Sequence, residues 1–407
     1  MNLVTLAAWC AALFLAATLF SHTVALRLIL LFAGIALVAA AALRARLGGA
    51  QRDIVFAPPL LLPFALWAAW AALSLAWTID PGITRKELQN EIGYAFLAYW
   101  LCFVGAQAAG SARLVLGVAA LGAAGLGALA VVSMQLGLPG KLGSLFGGSG
   151  AFVSALLILF PCTLAAAWYA MGKQRHRPMI GVAAALLPLY ALAGYLTQNR
   201  IVWVALAAQI ALFAVLLMLR APSRPSPDRR SKAFVVSLAA AAVTGAAMMA
   251  IKVQGERFGS GPGEMGRDGR IALWQTVLGR IAERPLTGSG FGRGMARHEL
   301  RSELGNPTLW HSHNQFLDTA LQLGWPGLAL LALLLGWTAW LGWRLARSAS
   351  DVAFACGFAL LAVLAGMVIR NLTDVLWVRH GALLYWGTVG VLLAWGMRAT
   401  RPPGPAR

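Results

Sequence analysis

Apolar stretches long enough to cross a lipid bilayer can be marked twelve times along this chain, near residues 3–21, 24–43, 58–77, 92–109, 113–137, 151–171, 179–197, 201–219, 233–251, 315–343, 351–370 and 380–398. A hydrocarbon core is ~30 Å thick and takes ~20 helical residues to cross. Inside it every backbone N–H and C=O must be paired within the segment, so runs of this length and apolarity are helices. The expected fold is an all-α polytopic membrane protein with about twelve transmembrane helices. Composition agrees, with 12% of residues charged where a soluble domain has roughly 25%. The first run lacks a basic leader and exceeds the length of a signal-peptide core, so it reads as the first span.

A net charge of +19 would suggest a nucleic-acid partner in a soluble chain. Here topology accounts for it, and no nucleic acid is expected. Of the 33 lysines and arginines, seventeen fall in one set of alternate connections, among them Arg44, Arg46, Arg220, Arg344, Arg347 and Arg398. Seven fall in the other set (Arg27, Arg85, Lys86, Lys141, Arg200, Arg370 and Arg379), and the remaining nine lie in one long loop, residues 252–314. By the positive-inside rule the first set and both termini are cytoplasmic and the long loop faces outward. Residues 1–251 then hold nine spans, 252–314 form a loop with short helices, and 315–407 hold three spans and a short tail. Residues 221–232, rich in Pro, Ser and Arg, read as a solvated linker. Cys10, Cys102, Cys162 and Cys356 lie within apolar runs without metal-ligand spacing, so neither a disulfide nor zinc is expected.

The outward loop holds the residues with chemistry to offer. Histidine suits a general base near neutral pH, and the loop ends in His311, Ser312, His313 and Asn314. Ser312 and Gln315 have capping-box spacing, which predicts Ser312 as N-cap and His313 as the first helical residue. Leu317, Ala320 and Gly324 then share a face with His313. His298–Glu299 opens like a zinc-protease helix, but Ser302 stands where the second histidine belongs. No catalytic metal is expected; Asp318, Glu299 and Glu303 would be the first ligands to consider if one were needed. On a helical wheel from Arg270, the residues Ile271, Trp274, Val277, Leu278 and Ile281 form one apolar arc with Arg270 at its middle and Arg284 near its edge. Guanidinium forks there suit phosphate oxygens at a membrane face, or simply snorkel to lipid. Arg200 ends a short polar link between two apolar runs, at headgroup depth. The cluster Gly288, Gly290, Gly292 and Gly294 reads better as a turn than as a phosphate nest.

These residues resemble the O-antigen ligases, in the wider group with O-antigen polymerases and O-linked oligosaccharyltransferases. The resemblance rests on topology along nearly the whole chain and on motifs between residues 197 and 327. His313, Leu317 and Gly324 meet a histidine–leucine–glycine pattern, and Arg270 stands four residues before Trp274, followed by Arg284–Pro285 and the glycine cluster. Family members often have serine before the hairpin arginine, whereas Asn199 stands here. The resemblance implies a glycosyltransferase of the bacterial inner membrane. It would move a polysaccharide from undecaprenyl pyrophosphate to a sugar hydroxyl of lipid A-core on the periplasmic side, inverting the anomeric centre without metal or other cofactor. It also implies His313 as base, with Arg200, Arg270, Arg284 and Arg293 as pyrophosphate ligands and His311 shaping the site. A polymerase or protein glycosylase would share the donor and differ in acceptor. The lack of a large extra C-terminal domain favours the lipopolysaccharide acceptor. A transporter is disfavoured because charges lie at span ends rather than mid-span.

Overall fold

The computed structural model describes residues 2–20, 22–47, 53–135, 149–171, 181–182, 185–187, 190, 194, 200–220, 267–306, 311–375, 377 and 379–401. Among these residues there are helices and connecting turns but no strand. Five helices are long and apolar enough to cross a membrane, namely Val24–Arg46, Ala151–Met171, Ile201–Met218, Gln315–Ala346 and Asp351–Asn371. The expected span 179–197 lies for the most part outside the described residues. The expected span 233–251 and the linker 221–232 lie wholly outside them.

In chain order the helices are α1 (Leu3–Thr18), α2 (Val24–Arg46), α3 (Leu61–Leu73), α4 (Pro81–Glu87), α5 (Tyr94–Gly105), α6 (Ser111–Gln135), α7 (Ser149–Met171), α8 (Arg200–Met218), α9 (Arg267–Glu283), α10 (Arg297–Leu304), α11 (Gln315–Ala346), α12 (Asp351–Asn371) and α13 (Arg379–Ala399). α5 and α13 meet around an aromatic core in which Trp386 lies 5.1 Å from Phe64 and 4.9 Å from Tyr385, ring to ring. The buried Tyr99 hydroxyl accepts the Leu60 N–H at 3.2 Å, which seats α3 on α5. Gln209 of α8 donates to Leu157 O on α7 and Ala362 O on α12, a polar tie between three otherwise apolar helices of the kind that holds membrane helices together. At one end of this packing the Arg220 guanidinium lies 2.5 Å from Asp351 and stacks between Trp168 and Phe354. Large apolar side chains stay exposed along α2 and α11, including Ile29, Phe32, Trp337 and Trp340. Water would penalise such stripes, whereas hydrocarbon accepts them.

α7, α8 and α11 all run in the same direction, opposite to α12, as their contacts with one another require. One end of the bundle holds the starts of α5, α8, α11 and α13 and the end of α12. The opposite end gathers Arg44, Arg46, Arg220, Arg344, Arg347, Arg398 and Arg401, which are the arginines that sequence assigns to a common side.

α11 is longer than a bilayer requires: its residues 315–346 would rise ~48 Å against a core of ~30 Å. It breaks at Gly324, where φ is 68° and ψ −175°, with Pro326 two residues on. The lower part, 325–346, is enough to cross the core at ~33 Å. The upper part carries the buried polar side chains Asp318, Thr319 and Gln322, and it packs against α9 through Leu273, Val277, Ile281, Ala320 and Leu321. That corrects the expected apolar arc, because Ile271 and Leu278 are exposed while Leu273 takes their place in the core. A Cβ on Gly324 would lie 2.5 Å from the Leu286 backbone, in addition to the strain of its φ. Gly324→Ala should therefore lower stability by ~2 kcal/mol or more, read as a fall of several degrees in the thermal midpoint of purified protein. An unchanged midpoint would mean that the break is not needed for packing.

Candidate active site

His311 and His313 occupy the turn that enters α11. Asn314 caps that helix, its Oδ1 accepting the N–H groups of Phe316 at 3.0 Å and Leu317 at 3.2 Å. The expected capping box is therefore not formed, and His313 is not a helical residue. Ser312 is otherwise engaged: its Oγ donates to Asn314 O at 2.7 Å and lies 3.3 Å from Asp318 Oδ1. His313 has a φ of 52°, a left-handed conformation that costs a non-glycine residue on the order of 1–3 kcal/mol and concentrates at functional sites. His311 holds it there, with Nδ1 accepting the His313 N–H at 3.0 Å. The shared face of His313, Leu317 and Gly324 is thus corrected as well, since one residue precedes the helix and another breaks it.

Asp318 is the anchor of this turn. Its Oδ1 accepts the Ser312 N–H at 3.2 Å and its Oδ2 accepts Gln322 Nε2 at 2.7 Å. Gln322 Oε1 in turn accepts the Gly292 N–H at 3.0 Å. The glycine cluster is consumed by such bonds: Gly288 donates to Arg284 O, Ser289 to Leu321 O, Gly290 to Gln322 O and Phe291 to Ser74 Oγ. With their N–H groups taken, these residues form a turn and not a phosphate nest. Gly290, at φ 103°, also sits against Thr78 with no room for a Cβ.

Beside the two imidazoles lies Asp374, which the sequence pattern does not single out. Its Oδ1 is 3.8 Å from His313 Nδ1 and 3.9 Å from His311 Nε2, and its Oδ2 accepts Arg370 Nη2 at 3.0 Å. Burial pushes the Asp374 carboxyl up, but His313, Arg370, the Val375 N–H and His311 together outweigh it and hold the group well below the usual carboxylate range. By sequence Arg370 counts only as a topological charge. The signal that could find the pair is an arginine and an aspartate four residues apart at the outward end of an apolar helix. His313 is the accessible imidazole, its side chain 35% exposed against 5% for His311.

His311, His313 and Asp374 present ligand-type atoms within 4.8 Å of one another, so a cation has to be weighed. Because His311 Nδ1 accepts a backbone N–H, a neutral His311 carries its proton on Nε2, the atom that faces Asp374, and offers no lone pair there. Arg370 already neutralises the carboxylate, and Arg293 lies close enough to His311 to oppose its protonation. The set suits electrostatic pairing of the carboxylate with the imidazoles, at 3.8 and 3.9 Å, better than a divalent ion. Of the other carboxylates considered as ligands, two are engaged elsewhere: Asp318 is bonded as described and Glu303 pairs with Arg280.

The expected arginines divide. Trp274 Nε1 donates to Ser312 O at 3.0 Å and pins α9 to the histidine turn, and Arg270, one turn earlier, is near enough for its charge to act on Arg370. The register of α8 against α12, set by Gln209 with Ala362 and Arg220 with Asp351, puts Arg200, the first residue of α8, level with Asn371. Arg293 joins the group from the glycine turn. Arg284 does not: it lies fourteen residues from Arg270 along α9, ~20 Å of helix, beside the Gly324 break. Residues 183–332 match the O-Antigen ligase family, so the signature of that family covers Arg200, α9, the glycine turn and the histidine turn. No curated protein matches the chain.

Burial of His311 ties stability to pH. Burial, then Arg293 and His313, lower its pKa to about 3 against the pull of Asp374, whereas the unfolded chain titrates near ~6.5. Between those values the unfolded chain takes up a proton that the folded protein does not. Stability should fall as pH drops below ~6.5, by at most ~1.4 kcal/mol per pH unit from this group. Thermal melts between pH 7.5 and 5 should show this slope, and His311→Asn, which keeps an acceptor for the His313 N–H, should flatten it. An equal slope in the variant would mean that His311 is not held neutral.

Proposed function

We propose that this membrane protein of O-antigen ligase type transfers an O-antigen polysaccharide from undecaprenyl pyrophosphate to a hydroxyl of lipid A-core, at the periplasmic face of the bacterial inner membrane. The observation that carries the reading is the convergence of an accessible imidazole, an arginine-held carboxylate and three further arginine-bearing elements, α8, α9 and the glycine turn, at one end of an apolar bundle. The family match supplies the substrate class. The opposite end, rich in arginine, is read as cytoplasmic, which leaves His313 facing outward.

In this mechanism Asp374 faces His313 Nδ1 and fixes the proton there, leaving Nε2 as the acceptor, the role a buried carboxylate plays toward a catalytic histidine. His313 removes the proton of the acceptor hydroxyl as its oxygen attacks the anomeric carbon from the face opposite the leaving group. The bond to the pyrophosphate oxygen breaks with inversion. Arg270, Arg200 and Arg293 stabilise the charge that develops on the departing pyrophosphate. Fixed guanidinium groups supply what a metal would otherwise provide, and because they are already in place they cost no reorganisation. Arg370 is a positioning residue: it holds Asp374. Trp274 positions Arg270, and Asn314 positions the histidine turn.

Reconstitution with undecaprenyl-pyrophosphate-linked glycan and lipid A-core tests this directly. His313→Ala should lower kcat by ~10²–10⁴-fold and leave donor binding intact. Asp374→Asn should reduce kcat less, by ~10–100-fold, with donor KM little changed. Near-normal transfer by His313→Ala would remove it as base. A free glycan chain growing in place of lipid A-core modification would reassign the acceptor to that of a polymerase, and transfer to protein serine would do so for a protein glycosylase.

Arg270→Ala should weaken donor binding, transfer or both, and Arg270→Lys should rescue only in part because it lacks the bidentate fork. Transfer should continue in excess EDTA, and magnesium or manganese should not rescue Arg270→Ala. Loss of activity on chelation, restored by either ion, would overturn the arginine mechanism and make His311, His313 and Asp374 the first ligands to test.

A further inference from the structure

An apolar cavity of about 420 Å³ lies between α1, α6, α7, α12 and α13, within the ~300–1,000 Å³ range of ligand pockets. It is lined by the first part of α12, from Val352 to Ala359, and by α13 from Leu384 to Ala399. α12 ends and α13 begins beside His313, so the α12 wall lies in the other half of the bundle, while the α13 wall reaches from the Arg398 end past the middle to Leu384. The space exists because small side chains, among them Ala119, Ala166 and Ala359, stand where larger ones would close it.

Water does not suit this space, since each molecule needs two to four polar partners and most of the wall is hydrocarbon. An unfilled void would forfeit dispersion on every wall. In a bilayer the material at hand is an alkyl chain. Arg398 marks the rim at the end of α13; one of its nitrogens donates to Gln107 O, and the guanidinium has further donors for a phosphate. The same end of the bundle carries Arg44, Arg46, Arg344, Arg347 and Arg401, a positive surface of the kind that attracts anionic headgroups, whereas Arg220 is buried against Asp351. The lined stretch of α13, residues 384–399, rises ~22 Å, a length that the end of an acyl chain entering at Arg398 can fill.

We propose that this cavity binds an acyl chain of an anionic phospholipid from the leaflet opposite His313, its phosphate at Arg398. The lipid replaces the missing side chains as packing material between α6, α7 and α12. This site is separate from the transfer site and does not depend on the reading of that site.

The full chain, purified in mild detergent without donor, can be incubated with vesicles of equal phosphatidylglycerol and phosphatidylcholine, repurified and its retained lipid measured by mass spectrometry. Phosphatidylglycerol should be retained near one per protein, about tenfold over phosphatidylcholine, corresponding to ~1.4 kcal/mol. Ala119→Phe and Ala166→Phe should each lower retention about tenfold by the same conversion, with glycan transfer within twofold of wild type where the assay runs. Arg398→Gln should erase most of the preference for phosphatidylglycerol while a chain is still held. The proposal fails if the wild-type protein retains no phospholipid. It also fails if both phenylalanine variants retain as much as wild type, or if added C55 polyprenyl phosphate displaces the phospholipid.

Discussion

The Asp318 carboxylate joins the three segments on which the site is built. One oxygen accepts from Ser312 and so holds the histidine turn; the other accepts from Gln322, whose amide oxygen holds Gly292. A carboxylate accepts hydrogen bonds only, so each of these bonds has a fixed direction and the arrangement cannot be inverted by rotating an amide. The Gly324 break makes the arrangement tolerable in a membrane, because it ends the polar upper part of α11 before the apolar span begins. Were α11 one straight helix, Asp318 and Gln322 would have to be satisfied in continuity with hydrocarbon.

Charge is separated along the bundle in a way that serves both insertion and chemistry. The arginines at one end are scattered over α2, α8, α11 and α13, and their partners include carbonyl oxygens, aromatic faces and, at Arg220, the Asp351 carboxylate. At the other end Arg270, Arg293 and Arg370 converge, and among the described residues Asp374 is the one carboxylate seen to form an ion pair with any of them. Convergent like charges are unfavourable by themselves. Their presence around an accessible imidazole is what makes an anionic leaving group the best reading of the site.

Much of the candidate site is legible in the amino-acid sequence. His313 and His311 stand out because two histidines end a loop at the mouth of an apolar run. Arg270 stands out because it falls on the apolar side of its helix, and the glycine cluster reads as a turn because no strand precedes it in the sequence pattern. The capping choice is not legible, since Ser312 and Asn314 are both good caps and only the competing bonds to Asp318 decide between them. Asp374 is not legible as a partner because it lies sixty-one residues from His313, on a link whose charges also fit a topological role.

Sequence by itself determined the solvent of this protein, its helical class and the sidedness of its charge, because apolar length and arginine bias act locally and add up along the chain. It also narrowed the proposed base to a two-histidine turn. Tertiary structure alone decided which imidazole is accessible, which carboxylate stands beside it, and which arginines share its end of the bundle. Those outcomes depend on helix register and on a single break at Gly324. Arg200 comes level with Asn371 only through the way α8 packs on α12, and no local pattern encodes such a distance.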